Sequence, residues 1–292
     1  MRWTPSGRSA NVEDRRSESA GRRFPGGGRG LGLGGLLVVL LVSVCFKQDF
    51  FQLLEQVGGS GGSSGTVTVG TEAGVPRPES AHEEELVQFV SFVLDHNQEM
   101  WTQVFPLLGG TYQQAKLVLF RDAVESACGF AESATGPFYC PGDQKVYIDL
   151  GFYDDLRERF GAPGDFAQAY VIAHELGHHV QNLLGIEGQM RQAQNQNPEA
   201  ANELSVRLEL QADCFAGVWG YHAVQRGVLE PGDLEEGLAA AAAIGDDRIQ
   251  KMTTGRVAPE RWTHGSSAMR VEWFRRGLES GRCEECDTFA TP

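Results

Sequence analysis

Basic side chains are scarce in this sequence of 292 residues once its first 47 positions are passed. Residues 1–47 carry eight Arg and Lys against three acids, whereas the whole chain has a net charge of −14, which leaves −19 for the remainder. A surface so poor in positive charge is badly suited to meet the phosphates of DNA or RNA. We therefore exclude nucleic acid as a partner.

The sequence also lacks a long apolar run of the usual membrane-spanning length. Residues 31–46, LGLGGLLVVLLVSVCF, are uncharged but number only sixteen, somewhat below the ~20 residues of a typical span. No small-residue cleavage site follows Phe46, and Val44 stands before Cys45 where a lipoprotein signal requires a small residue. These absences favour an uncleaved, single-pass anchor over residues 31–47 in a bacterial cell membrane, with the lipid bilayer as a partner.

The arginines before this anchor predict a cytoplasmic N-terminus, with the rest of the chain in the periplasm or outside the cell. We expect residues 1–30 to form a basic, Gly-rich cytoplasmic head and residues 48–80 a flexible Gly/Ser/Pro-rich linker. From residue 81 the composition becomes that of a folded protein, so residues 81–292 are predicted to form one domain.

No second half-site accompanies the CEEC sequence at residues 283–286, which disfavours a structural zinc site there. An exported domain instead predicts disulfides, with Cys128 and Cys140 closing a short loop. Cys214 is left with Cys283 and Cys286 as alternative partners, and the sequence does not decide between them.

The order of predicted elements indicates an α+β domain that is mostly helical and contains a small sheet. Short apolar or alternating runs predict strands, and longer periodic runs predict helices. The predicted strands are residues 116–120 and 145–150, and the predicted helices are residues 151–160, 166–184 with Asp165 as N-cap, and 199–225.

The helix over residues 166–184 contains the sequence AHELGHHVQ, in which His174, Glu175 and His178 have the H-E-x-x-H spacing. The two histidines are at i and i+4 and therefore lie on one helix face, while the glutamate stays free to act as a base. A polar surface patch would have charged neighbours, but the surrounding residues are Tyr170, Val171, Ile172, Ala173, Leu176 and Val180. Because unpartnered buried polar groups are costly, this pattern favours a zinc site.

A third ligand is expected from the later helix, in the sequence RLELQADCFAGVWG. Glu209 and Asp213 are again at i and i+4, and the small residues beside them would allow a second helix to approach closely. We predict that Glu209 is the third zinc ligand and that Asp213 accepts a hydrogen bond from a ligand histidine. The alternative is an exposed acidic face shared with Glu199 and Glu203.

Together these motifs resemble the gluzincin metallopeptidases and, more closely, the bacterial neutral zinc metallopeptidase family of the YpfJ type. The resemblance implies a zincin-like metallopeptidase domain with Zn²⁺ on His174, His178 and Glu209, and with Glu175 as the general base. It extends over nearly the whole chain and rests on NVEDRR, ACGF, GPFYCPGDQKVYIDL, AHELGHHVQ, LELQADCFAGVW and CDTF.

The sequence therefore predicts a membrane-anchored zinc endopeptidase that hydrolyses peptide bonds of a peptide or protein substrate with a zinc-activated water. We expect strand 145–150 to pair with extended substrate. His264 is a candidate catalytic residue that, like Arg270, would stabilise the oxyanion, although His264 is equally compatible with a structural role. Two alternative functions are a non-catalytic, zinc-stabilised partner-binding domain and a zinc amidase that acts on cell-wall peptide.

Overall fold

The computed structural model describes residues 1–5, 7–18, 81–132 and 136–290. Most of these residues are helical, and the strands form one four-stranded sheet and one hairpin. The strands are β1 (Val12–Asp14), β2 (Lys116–Phe120), β3 (Ala123–Ser126), β4 (Gly129–Glu132), β5 (Phe138–Cys140) and β6 (Lys145–Asp149). The helices are α1 (Ala81–Val104), α2 (Gly151–Glu158), α3 (Asp165–Leu183), α4 (Ile186–Gln196), α5 (Ala201–Gln225), α6 (Asp233–Ala243), α7 (Asp246–Thr254) and α8 (Ser267–Ser280).

The four-stranded sheet has the order β1-β2-β6-β5. Strands β1, β2 and β6 are parallel, whereas β5 runs antiparallel to β6 at the edge. Alternating side chains of β2 serve two cores: Leu117 and Leu119 face the main helical core, and Val118 and Phe120 face a smaller one. Burial of both faces explains why this strand reads as a continuous apolar run.

Small residues determine how closely the central helices pack. A Cβ atom added to Gly177 of α3 would lie 3.0 Å from the backbone oxygen of Ala212 in α5. On another side of α5, a Cβ at Gly217 would lie 2.1 Å from the backbone oxygen of Phe274 in α8. Helix α5 therefore packs backbone against backbone with both neighbours, as its small residues predict.

The N-terminal segment differs from the separate head expected for residues 1–30. Its described residues belong to the same compact unit as the domain, and β1 pairs in parallel with β2 from Val12 opposite Leu117 to Asp14 opposite Leu119. The ammonium of Lys145 on β6 also lies 2.8 Å from the carboxylate of Glu13. The basic residues of this segment suggested a separate cytoplasmic head, but strand pairing and local ion pairs hold its described residues on the sheet.

This pairing bears on the expected membrane topology. Among the described residues, no helix combines the length and apolar character needed to cross a bilayer. The predicted anchor at 31–47 and linker at 48–80 lie outside the described residues. A single crossing between residues 18 and 81 would put β1 and β2 on opposite sides of a membrane, so the predicted single-pass arrangement is incompatible with their pairing.

The predicted strands and helices agree with the structure to within a few residues at their ends. Asp165 is the first residue of α3 rather than its cap, because the capping position is occupied by Gly164. Cys128 is bonded to Cys140, which confirms that prediction. Cys214 is bonded to Cys286 and Cys283 is a free thiol, which decides between the two pairings that the sequence left open.

Candidate metal centre

Helices α3 and α5 bring His174, His178 and Glu209 together. One ligand atom from each of the three lies within 4.8 Å of the others. The Nε2 atom of His174 is 3.2 Å from Oε2 of Glu209, and Nε2 of His178 is 3.5 Å from Oε1 of the same carboxylate. One helical turn separates the histidines on α3, and the close contact of α3 with α5 supplies the acid from 31 residues later in the chain.

The other ring nitrogen of each histidine already has a partner. Nδ1 of His174 lies 2.9 Å from Oδ1 of Asp213, and Nδ1 of His178 lies 2.9 Å from Oε1 of Gln181. Both partners are oxygen acceptors, so each Nδ1 carries a proton, and each Nε2 is the nitrogen that can give up its proton and offer a lone pair to a metal. Two neutral imidazoles and one carboxylate form a donor set that suits Zn²⁺ and leaves a fourth position for water or substrate.

The charges in this group favour an ionised carboxylate. Burial opposes ionisation of Glu209, but the positive charge of His178 and hydrogen bonds from both histidines hold its pKa well below the ordinary value. Burial likewise lowers the pKa of His174, yet the charge and hydrogen bond of Asp213 outweigh it and raise that pKa to about 9. Before metal binds, the site is therefore an imidazolium–carboxylate cluster, and a cation that binds there displaces protons.

Glu175 lies beside the three ligands and is 7% exposed. Burial raises the pKa of its carboxyl group, and the negative charge of Glu209 raises it further. The positive charges of His174 and His178 lower this pKa but do not cancel the rise. Within the described part of the chain, no hydrogen bond or ion pair holds this carboxylate. A carboxylate with a raised pKa that lines the cleft has the properties of a general base.

Asp213 is the centre of a buried network behind His174. The carboxylate of Asp213 accepts bonds from Nε and Nη2 of Arg270 at 2.8 and 2.9 Å and from the hydroxyl of Tyr170 at 2.5 Å. The acid is fully buried, and the arginine is 2% exposed. Burial opposes ionisation of Asp213, but Arg270 and His174 keep its pKa below the ordinary value. Nε and Nη2 of Arg270 thus donate to Asp213, which disfavours the predicted role of this arginine in stabilising an oxyanion.

His264 lines the same cleft, which has a volume of about 640 Å³. Its Nδ1 atom lies 3.1 Å from Oδ1 of Asp246, and the other carboxylate oxygen of Asp246 accepts the backbone N–H groups of Thr263, His264 and Gly265. The hydrogen bond with Asp246 raises the pKa of His264, and the charge of Glu209 contributes to the shift. Nε2 of His264 has no protein partner among the described residues.

Sequence reasoning missed several residues that hold the site. Tyr170 and Gln181 lie one turn before His174 and one turn after His178, so helical spacing alone pointed to both of them. Asp246 had no sequence signal, because it contacts His264 from a separate helix. His179, which follows the ligand His178 on α3, bonds the hydroxyl of Tyr139 and the carbonyl of Gln113 and not the metal ligands.

The predicted substrate strand already has partners over most of its length. Strand β6 pairs with β2 from Lys145 to Asp149 and with β5 from Lys145 to Tyr147, so β5 leaves only residues 148–149 of its edge uncovered. Strand β5 is the edge strand, and Phe138 and Tyr139 of β5 line the cleft. The alternating pattern of residues 145–150 identified a strand but carried no information about its neighbours.

Comparison with known proteins agrees with this geometry. The model of the family described as "Putative neutral zinc metallopeptidase" matches residues 1–289. The chain belongs to this family. The resemblance drawn from the motifs is thereby confirmed, and the family description implies zinc and peptidase activity in that general form.

Two relatives of this chain have names that assign them no activity. The uncharacterized protein YpfJ of Escherichia coli strain K12 is 49% identical over 299 residues, which cover 99% of each chain. The uncharacterized protein Mb2605 of Mycobacterium bovis is 50% identical over 196 residues, or 63% of this chain and 65% of the relative. No solved structure matches the chain significantly.

Proposed function

We propose that the protein is a zinc-dependent endopeptidase whose metal is held by His174, His178 and Glu209. The observation that carries the proposal is the meeting of three ligand atoms within 4.8 Å from two helices, beside a buried glutamate and in an open cleft. A bound zinc ion would supply Lewis-acid activation of a water molecule and of the peptide carbonyl. Family membership supports the same general chemistry.

Four further polar residues of the site have distinct parts in this proposal. Glu175 takes the proton of the attacking water and passes it to the leaving amide nitrogen. His264 is fixed by Asp246 with its Nδ1–H engaged, so a protonated Nε2 is available to donate to the oxygen on which charge develops. Asp213 orients His174, and Arg270 keeps Asp213 ionised.

The shape of the cleft supports an extended peptide with bulky apolar side chains as substrate. Strand β5 offers an edge with which a peptide backbone can pair. Apolar side chains cover much of the cleft wall, which favours aliphatic or aromatic side chains near the scissile bond. This wall consists of Phe138, Phe152, Phe160, Val171, Ile244 and Ile249.

Two alternatives and the membrane attachment remain separate questions. A non-catalytic zinc-stabilised domain has no need of a buried free carboxylate beside the metal ligands, so Glu175 disfavours it. An amidase that acts on cell-wall peptide uses the same catalytic groups and differs only in substrate. Attachment to a bilayer through residues 31–47 stays a prediction, but a single crossing there is incompatible with the pairing of β1 with β2.

The substitution Glu175→Gln tests the enzyme proposal. Purified wild-type protein is expected to hold one zinc per chain and to cleave an unbiased peptide library in a chelator-sensitive reaction. The variant should retain its zinc and lose hydrolysis by roughly 10²- to 10⁴-fold, the usual contribution of a general base. Equal hydrolysis by both proteins would remove Glu175 from the mechanism, and cleavage of cell-wall peptide alone would favour the amidase.

A further inference from the structure

A chain of hydrogen bonds leads from His178 through the protein interior to the C-terminal segment. Nδ1 of His178 lies 2.9 Å from Oε1 of Gln181, whose amide nitrogen donates to the carbonyl of Leu208 at 2.7 Å and to Oε1 of Gln211 at 3.1 Å. The amide nitrogen of Gln211 in turn donates to the carbonyl of Cys286 at 3.0 Å.

The direction of this chain is set by its two backbone carbonyls. The carbonyls of Leu208 and Cys286 can only accept hydrogen bonds, so the amide nitrogens of Gln181 and Gln211 must face them. The amide oxygen of Gln181 is consequently directed at His178. That oxygen requires a proton on Nδ1, which leaves Nε2, the atom nearest Glu209, as the nitrogen that can lose its proton and bind a metal.

The far end of the chain is firmly attached to α5. Cys286 is bonded through sulfur to Cys214, the residue after Asp213. Two positions later, the hydroxyl of Thr288 donates to the carbonyl of Arg207 at 2.7 Å. Gln181 and Cys286 are fully buried and Gln211 is 5% exposed, so water does not compete for these bonds.

The two histidines of the site are therefore oriented in different ways. His174 has a charged partner, Asp213, which is itself held by Arg270. His178 has a neutral amide partner at Nδ1, so on that side of the ring hydrogen-bond geometry alone holds the proton and the orientation. Loss of this geometry would leave His178 free to rotate or to place its proton on Nε2, and either change removes a metal ligand.

We propose that Gln181 and Gln211 are positioning residues for the metal ligand His178, and that the disulfide-bonded C-terminal segment is the fixed end of their hydrogen-bond chain. This inference rests on the zinc site of the proposed function. It gives the Cys214–Cys286 disulfide a part in metal binding through an orienting contact made by the backbone of Cys286.

The test compares the variants Gln181→Leu and Gln211→Leu with wild-type protein by competition for Zn²⁺ against a chelator of known affinity. Gln181→Leu should raise the zinc dissociation constant by roughly 10- to 100-fold, as is usual for partners of ligand histidines. Gln211→Leu should raise it less, since Gln181 keeps its bond to Leu208. Unfolding of the zinc-free proteins, measured in parallel, separates a metal effect from a general loss of stability.

Gln98→Leu is the matched control. Gln98 is 1% exposed on α1, and its amide has no hydrogen-bond partner among the described residues. Its replacement removes a buried glutamine of the same size outside the chain of bonds, and the zinc dissociation constant should stay at the wild-type value. Equal dissociation constants for Gln181→Leu and Gln98→Leu would overturn the proposal.

The double variant Gln181→Leu/Gln211→Leu tests whether Gln211 acts through Gln181. It should bind zinc no more weakly than Gln181→Leu alone, because the second change removes a link that is already broken. Replacing both Cys214 and Cys286 by serine should weaken zinc binding in the wild-type background and have no further effect in the Gln211→Leu background. Additive effects on the zinc dissociation constant in both comparisons would show that the proposed hydrogen-bond chain does not connect the C-terminal segment to His178.

These outcomes are distinguishable from failure of the proposed function. Wild-type protein that binds no zinc would refute the metal site itself. Zinc binding by the wild type with unchanged affinity in Gln181→Leu would refute the positioning role alone. If Gln181→Leu does not fold, the comparison of Gln211→Leu with Gln98→Leu carries the same test.

Discussion

The contact between α5 and α8 predicts a severe effect of the substitution Gly277→Ala. A Cβ atom at position 277 would lie 1.9 Å from the backbone oxygen of Cys214 and 2.8 Å from the backbone nitrogen of Val218. Both atoms belong to the backbone of α5, so no side-chain rotation can relieve the overlap. The helices would have to separate.

The size of the separation follows from the contact itself. Ordinary van der Waals contact begins at 3.4 Å, so the two backbones must move apart by about 1.5 Å near this point. Overpacking of this kind costs at least ~1–3 kcal/mol of unfolding free energy. The movement also pulls Arg270 of α8 away from Asp213 of α5, whose bonds are 2.8 and 2.9 Å long, so we expect zinc affinity to fall as well.

Denaturant unfolding of zinc-free protein measures the first effect, and chelator competition measures the second. The matched control is Gly188→Ala on α4, where an added Cβ meets no atom within 4 Å. That change should stabilise the protein by up to ~1 kcal/mol, because alanine is the better helix former. Equal stability of the Gly277→Ala variant and the wild type would refute the close packing of α5 against α8.

Two other substitutions test the charged groups. Asp213→Asn should lower the unfolding free energy by ~3–5 kcal/mol because it leaves Arg270 buried and unpaired, and it should weaken zinc binding by roughly 10- to 100-fold in a chelator competition. Asp246→Asn should return the raised pKa of His264 toward its ordinary value in an NMR titration. The raised pKa of His264 stabilises the fold fully below the unfolded value of ~6.5, and this contribution is lost as pH rises through the folded value. The lowered pKa of Asp246 stabilises the fold above the unfolded pKa of ~3.9, and this contribution is lost as pH falls through the folded pKa. Both contributions are present between about pH 4 and 6.5, so Asp246→Asn should destabilise the protein most in this range.

Each of these substitutions has its own control and its own contrary result. For Asp213, the control is Asp154→Asn, which removes an exposed pair with Arg157 and should change stability by less than ~1 kcal/mol. Similar losses of unfolding free energy in both variants would mean that the Asp213–Arg270 pair stabilises the fold no more than an exposed ion pair does. For His264, a pKa that does not respond to Asp246→Asn would show that another group causes its shift.

The parts of the site that the sequence predicted are those set within one helix or by residue size. His174 and His178 are one turn apart, and that relation needs nothing beyond the helical repeat. The small residues around Glu209 and Asp213 indicated a close helix contact, and the structure has α3 packed there. The pairing of Cys128 with Cys140 could be predicted because only twelve positions separate them.

The parts that the sequence did not predict depend on contacts between distant segments. The excess of basic residues near the N-terminus suggested a separate head, but strand pairing places β1 on the domain's sheet. Strand 145–150 was identified correctly, yet its two neighbours, and thus how much of its edge they cover, are properties of the sheet. Asp246, the first residue of α7, lies 18 positions before His264, which is in the loop that precedes α8, and no periodicity relates them.

The sequence by itself determined the chemical groups of the site and their spacing along each helix, because backbone geometry repeats every 3.6 residues whatever surrounds it. Only the tertiary structure decided that Glu209 faces both histidines, that Gln181 and Asp213 lie at their Nδ1 atoms, and that the disulfide-bonded C-terminal segment contacts Gln211. Those relations depend on how far apart the packed helix backbones lie, and that distance is fixed by all the side chains between them together.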